Sequence, residues 1–141
     1  MVDTGDRRWI STEHPRLKEM EKQAEPARRE LVKAGLLVTE VELCGHLGLE
    51  PTALQQKVEE CCLFTLAVGE DRFYPAFYGS SELAREDIER VSKVLGDLPG
   101  WAKWMFFMRK DLSLGGHSPL EILEQGDLEE VERAAYSYRG G

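Results

Sequence analysis

The chain has 141 residues, of which 42% are hydrophobic and 31% are charged, and its net charge is −8. This length and apolar fraction suit one domain, or two small ones that share a core. No run approaches the ~20 apolar residues of a membrane span, and residues 1–8 lack a signal-peptide pattern. The three cysteines, two of them adjacent, make no disulfide framework. We therefore expect a cytoplasmic protein that does not enter a membrane.

The charge is unevenly distributed along the chain. Residues 1–34 carry eight Lys/Arg and seven Asp/Glu, whereas the remaining residues carry ten and nineteen. Such an acidic bulk disfavours wrapping of nucleic acid and suits a partner with a basic cleft. Solubility alone would also explain this acidity, so charge does not separate the two interpretations.

A helical segment is predicted near the start of the chain. Its apolar residues are spaced by three or four positions from Leu17 to Ala34, and the pattern keeps phase across Pro26. Pro26 either kinks one continuous helix or begins a second one. The apolar stripe packs on the rest of the chain or on a second copy. Residues 1–34 are therefore a candidate oligomerisation segment, and a homodimer is one expected partner.

Residues 35–80 predict a helix-turn-helix-like unit followed by a β-hairpin. Thr39 and Glu42 form a capping-box pattern before a helix over 40–47, and Pro51 begins a second helix that runs to about Cys62. The residues expected to face inward from the first helix are Val41, Leu43, Cys44 and Leu47. In a DNA-binding protein, the second helix would offer four residues to the major groove: Thr52, Gln55, Gln56 and Lys57.

The charge of this unit argues against DNA binding. Residues 39–62 contain five glutamates and one lysine. Neutralisation of phosphates supplies much of the affinity for DNA, so this acidic surface would repel it. Packing alone remains the other interpretation of the two helices.

A short β-hairpin is predicted next, with strands at 63–68 and 72–74 around Gly69-Glu70-Asp71. A helix follows Ser80-Ser81. Its predicted inner face consists of Ala84, Ile88, Val91 and Leu95. The segment 101–108 is apolar on nearly all sides apart from Lys103, which predicts a helix that is buried or covered by a partner.

The segment 114–126 predicts a rigid corner behind a flexible loop. Gly115 and Gly116 allow a sharp bend and close approach to another surface. Ser118 is a predicted helix N-cap, Pro119 occupies the first helical position, and Glu121 completes a capping box. A last helix is expected over about 128–138. We interpret this corner as a surface that another molecule binds.

The sequence indicates neither an enzyme nor a cofactor-binding protein. It contains no phosphate-binding glycine loop, and its three histidines lie apart from one another. Cys44 and His46 with Cys61-Cys62 have poor spacing for zinc, because paired zinc ligands are normally separated. We therefore predict no catalytic residue, no metal and no cofactor.

The order of these features resembles a known family. A helix-turn-helix is followed by Tyr74-Pro75-Ala76-Phe77, by Trp104, and by Leu114-Gly115-Gly116-x-Ser118-Pro119-Leu120-x-x-Leu123. Over about residues 31–138 the chain resembles the Xre/MbcA/ParS antitoxins. The resemblance implies a bacterial type II antitoxin that binds a RES-domain toxin, an NAD-consuming enzyme. In that family the C-terminal helices and tail cover the active-site cleft of the toxin.

Carried onto this sequence, the resemblance implies a partner-binding region within residues 81–141. The expected contact residues are Trp104, Gly115, Gly116, His117, Ser118, Pro119, Tyr136, Tyr138 and Arg139. Tyrosine and arginine are also residue types that dominate interface energetics. We thus expect a mainly α, compact domain with a helix-turn-helix-like unit and one short β-hairpin, acting as an antitoxin. A helix-turn-helix transcriptional regulator and an oligomeric scaffold are the rival hypotheses.

Overall fold

The computed structural model describes residues 15–140, with side chains described from residue 24 onward. Seven α-helices lie in this range: α1 (Pro15–Lys33), α2 (Glu40–Leu47), α3 (Pro51–Glu59), α4 (Arg85–Leu95), α5 (Gly100–Met108), α6 (Pro119–Glu124) and α7 (Leu128–Gly140). Three short strands are β1 (Leu37–Val38), β2 (Leu66–Val68) and β3 (Asp71–Pro75). Two 3-10 turns cover Ala76–Gly79 and Leu112–Leu114. The predicted mainly α class is confirmed. Within the range described, no helix is both long and apolar enough to cross a membrane.

The sheet has one strand more than the predicted hairpin. The strands are antiparallel in the order β1-β3-β2, with Leu37 opposite Pro75 and Leu66 opposite Phe73. The β1 strand was missed because two residues are too few to show the alternation that predicts a strand. Pro75 is tolerated at the end of β3, where its missing N–H leaves no gap inside a ladder.

Helix α1 continues through Pro26 as one helix. Its C-terminal part contacts β1 and β2. The guanidinium of Arg28 lies 4.4 Å from the ring centroid of Trp101, and Arg29 pairs with Glu25 at 3.2 Å. This part of the helix therefore packs on its own chain. The side chains of Leu17 and Met20, part of the predicted stripe, lie outside those described.

Helix α2 begins as predicted at a Thr39–Glu42 capping box, and α3 begins with Pro51 in its first turn. Leu43 is fully buried, but Val41 is 80% exposed, so its predicted inward position is wrong. The reason is geometric: Val41 is two positions before Leu43, about 200° away around the helix. Helix α3 ends at Glu59 rather than near Cys62, because Cys61 adopts φ 66 and reverses the chain.

Helix α4 packs mainly on α7. Ile88, Val91 and Leu95 are buried as predicted. Ala84 is exposed, contrary to the prediction, because it precedes the helix as its N-cap and lies beyond the buried face. The hydrophobic core is a single cluster that extends from Leu37 to Ala135 and therefore includes residues from both halves of the chain.

An aromatic cluster joins the hairpin region to α5. The ring of Phe77 stacks on Trp104 at 5.8 Å between centroids, and Phe64 stacks on Phe107 at 6.0 Å. The buried Tyr78 hydroxyl donates to the carbonyl of Cys62 at 3.0 Å. These contacts fix the orientation of α5, whose C-terminal end leads into the predicted corner.

Candidate protein-binding site

Residues 111–117 form a closed loop after α5. The Asp111 N–H donates to the His117 carbonyl at 3.0 Å, and the Gly116 N–H donates to the Asp111 carbonyl at 2.9 Å. The Asp111 carboxylate also accepts from the N–H and hydroxyl of Ser113, at 2.9 and 2.8 Å. These bonds hold the pKa of Asp111 below its ordinary value. Hydrogen bonds to Asp111 thus join the two ends of the loop and also hold its turn.

The two glycines allow this closure. Gly115 has φ 71 and Gly116 has φ 84, which are left-handed conformations that other residues rarely adopt. The predicted sharp bend is therefore confirmed. Its position is set by hydrogen bonds of the loop backbone, so the loop is better defined than the sequence indicated.

The corner behind the loop is built as predicted. The Ser118 hydroxyl accepts from the Glu121 N–H at 3.2 Å, and the Glu121 carboxylate accepts from the Ser118 N–H at 2.8 Å. That carboxylate also lies 3.2 Å from Lys110 Nζ and 3.7 Å from His117 Nδ1. The Ser118 N–H and then Lys110 lower the pKa of Glu121. Glu121 therefore links the loop to α6.

The closed loop displays one apolar side chain to solvent. Leu112 is 93% exposed, whereas Leu114 in the same turn is buried. A rigid loop that leaves a leucine in water gains nothing for its own stability from that side chain, because burial is what makes leucine stabilising.

A groove of about 760 Å³ lies between this loop and α7. Its apolar lining consists of Met105, Phe106, Leu112, Leu114, Pro119, Ala134 and Tyr138. Its polar lining consists of Arg109, Lys110, Asp111, Ser113, Glu130, Arg133 and Ser137. Such an apolar surface with a charged edge is typical of a site that binds a polypeptide.

The predicted contact residues divide into two groups. The exposed or half-exposed ones are Gly115, Gly116, His117, Tyr136, Tyr138 and Arg139. Trp104, Ser118 and Pro119 are buried. In this conformation a partner would not reach the side chains of these three residues without rearrangement.

The C-terminal residues belong to α7, which extends to Gly140 rather than 138. The Tyr138 hydroxyl donates to the Ala102 carbonyl at 3.1 Å, and Arg139 Nη1 donates to the Val94 carbonyl at 3.2 Å. Both side chains therefore already make a hydrogen bond to the backbone of their own chain. Tyr136 is 64% exposed.

Sequence reasoning missed four residues of this surface: Met105, Arg109, Leu112 and Arg133. Met105 had a signal, since a helix that is apolar on nearly all sides must expose some of them. Leu112 had a weaker sequence signal, namely an apolar residue within a short polar segment. The two arginines had none, because their proximity depends on how α7 packs.

The residues predicted for DNA contact are arranged differently. Thr52, Gln55 and Gln56 are exposed on α3. Lys57 instead forms an ion pair with Glu89, Nζ to Oε1 at 3.1 Å, and Gln56 donates to Glu60 at 3.3 Å. Lys57, the single cation of residues 39–62, is thus already paired.

Comparisons with known proteins add no assignment: no family model, no curated protein and no solved structure matches this chain. Within the residues described, no three His, Cys, Asp or Glu side chains are grouped as they would be around a metal ion.

Proposed function

We propose that this protein is an antitoxin that binds a RES-domain, NAD-consuming toxin and occludes its active site. The observation that carries the proposal is Leu112, held in water at the tip of a closed loop beside an open groove. The family resemblance of the segment 114–123 supplies the class of partner.

The energetics favour a protein as the ligand. Full burial of an exposed leucine contributes roughly 1.5–3 kcal/mol. Met105, which lines the same groove, is 49% exposed and would add apolar area there. Exposed apolar residues grouped in this way mark interaction surfaces more often than isolated ones do.

The test is an NAD-loss assay with the product of the gene adjacent to the gene for this chain, which the proposal expects to be a RES-domain protein. We expect the wild-type protein to stop the loss of NAD at equimolar concentration, and Leu112→Asp to weaken inhibition at least tenfold. Val41→Asp is the matched control, because Val41 is 80% exposed on α2 and the charge change is the same. NAD loss that continues unchanged with the wild-type protein would refute the proposal.

DNA binding by α2 and α3 is the second candidate, and the exposed Thr52 and Gln55 favour it. Gel shifts with the promoter of its own operon test it, with Gln55→Ala as the variant. Specific retardation that is lost in Gln55→Ala would support a regulator. Absence of any shift at low salt would exclude one, because the phosphate contribution is largest there.

A further inference from the structure

We propose that the groove between the 109–114 segment and α7 binds the same surface of a second copy of this chain, with Leu112 of each copy inserted into the groove of the other. A twofold axis brings one surface against itself, so that surface must contain both a projecting part and a recess that receives it. This surface contains both. The self-association goes beyond the proposed function and does not depend on it.

The projecting part and the recess lie side by side. The side chain of Leu112 is 93% exposed at the edge of the groove, whose lining includes the buried Phe106, Leu114 and Pro119. The groove has a volume of about 760 Å³, within the range of roughly 300–1,000 Å³ that is usual for ligand pockets. It therefore has room for an inserted leucine. Backbone hydrogen bonds already close the loop, so association does not have to order it first.

The groove is electrically neutral, although the chain is acidic. Six charged side chains line it or pair with one that does, three of each sign: Arg109, Lys110, Arg133, Asp111, Glu121 and Glu130. The net charge of −8 therefore belongs to the rest of the chain. Two copies repel each other through their acidic surfaces, whereas this surface adds no repulsion. A neutral lining also gives no preference for an acidic or a basic segment of another protein.

The two walls of the groove carry charges that complement each other between copies. The loop wall contributes Arg109 and Asp111, and the α7 wall contributes Arg133 and Glu130. The ion pairs found among the described side chains involve none of these four. A loop that enters the groove of a second copy lies beside α7 of that copy. Arg109 then faces Glu130, and Asp111 faces Arg133, across both halves of the interface. Complementary charges of this kind fix the orientation of two partners.

Analytical ultracentrifugation of the full chain tests the proposal. We expect a monomer–dimer equilibrium whose Kd rises at least tenfold in Arg109→Glu/Arg133→Glu and in Glu130→Lys, because each change places like charges on both facing surfaces. An equimolar mixture of these two variants should associate at least tenfold more tightly than either alone, since an acidic surface then faces a basic one. Lys33→Glu/Arg72→Glu is the control. It makes the same change in net charge as the first variant on exposed residues outside the groove, and it should dimerise like the wild type.

Leu112→Asp is a further disruptive variant, because this side chain contributes nothing to the fold, and it should also raise the Kd at least tenfold. Circular dichroism establishes that each variant is folded. A wild-type chain that stays monomeric at every concentration tested would overturn the proposal. So would a dimer whose Kd is the same in the groove variants, or a mixture that associates no more tightly than its components, because the copies would then meet through another surface.

One consequence rests on the proposed function. If the groove also receives the toxin, the dimer and the complex exclude each other, and added toxin should convert the dimer into a complex that contains one copy of this chain. Dimerisation as described together with a failed NAD assay would uphold the interface and reject the antitoxin proposal. Inhibition of NAD loss by a chain that never dimerises would do the opposite.

Discussion

Leu112 and Leu114 are two residues apart in one turn but have opposite environments. We expect Leu112→Ala to change the free energy of unfolding by less than about 0.5 kcal/mol, as is usual for exposed sites. Leu114→Ala should lower it by about 2–5 kcal/mol, because a buried side chain is removed. Urea unfolding measures both. A large loss from Leu112→Ala would show that this side chain packs on its own chain and would remove the main argument for a binding surface.

Lys103 is the one strongly buried cation among the described side chains, at 4% exposure. Its ammonium lies 5.8 Å from the Phe64 ring centroid, and burial lowers its pKa below 10.5. Burial disfavours the charged ammonium in the folded state. The charged Lys103 therefore lowers the free energy of unfolding by the full amount below its folded pKa, and this loss decreases as the pH rises toward 10.5. We expect Lys103→Met to raise stability at pH 7 by about 1 kcal/mol.

Thermal unfolding at pH 7 and pH 10 tests this prediction. The advantage of Lys103→Met should be larger at pH 7. A variant less stable than the wild type at both values would mean that the ammonium has a stabilising partner, and the prediction would be wrong.

Glu121 predicts a pH dependence of the opposite sign. Its folded pKa lies below 4.5 because its carboxylate accepts from Ser118 N–H and Lys110. The contribution of this carboxylate to the free energy of unfolding is therefore complete above pH 4.5 and is lost as the pH falls through the folded pKa. Wild type should be more stable than Glu121→Gln at pH 7, and the difference should decrease as the pH falls below 4.5. Equal urea midpoints at pH 7 would contradict this.

At the scale of elements, Gly100 determines how closely α5 approaches the sheet. A Cβ at this position would overlap the carbonyl oxygen of Thr65. We expect Gly100→Ala to lower stability by about 1–3 kcal/mol, the usual cost of overpacking. Gly45→Ala is the matched control in α2, because a Cβ there meets nothing, and it should stabilise by about 0.5–1 kcal/mol. Equal thermal midpoints for the two variants would show that Gly100 does not determine how closely α5 approaches the sheet.

The elements themselves were largely predictable. Local signals such as Thr39 with Glu42 and Ser118 with Glu121 placed helix starts correctly, because capping depends on residues three apart. The end of α3 was missed, since Cys61 is a non-glycine residue in a left-handed conformation, which no residue pattern around it indicates. The same limit applies to the site: the corner was predictable, but the groove depends on where α7 lies, which no local pattern encodes.

At the scale of the whole molecule, the described part of the chain shares one core, so we expect one unfolding transition. Leu43 in α2 and Val131 in α7 are both fully buried in the same cluster. Leu43→Ala and Val131→Ala should each shift the transition as a whole, Leu43→Ala by about 2–5 kcal/mol. Circular dichroism and tryptophan fluorescence should report coincident curves. Separate transitions would instead mean that residues 35–80 and 81–141 unfold as independent units.

The exposed Leu112 also has an evolutionary consequence. Random substitution would readily replace a leucine that serves no purpose in water, since a polar residue there costs the fold nothing and improves solubility. If a partner selects for it, homologous chains should retain a large apolar residue at this position while neighbouring Ser113 varies. A survey of such chains would therefore test whether selection by a binding partner has preserved the leucine in this loop.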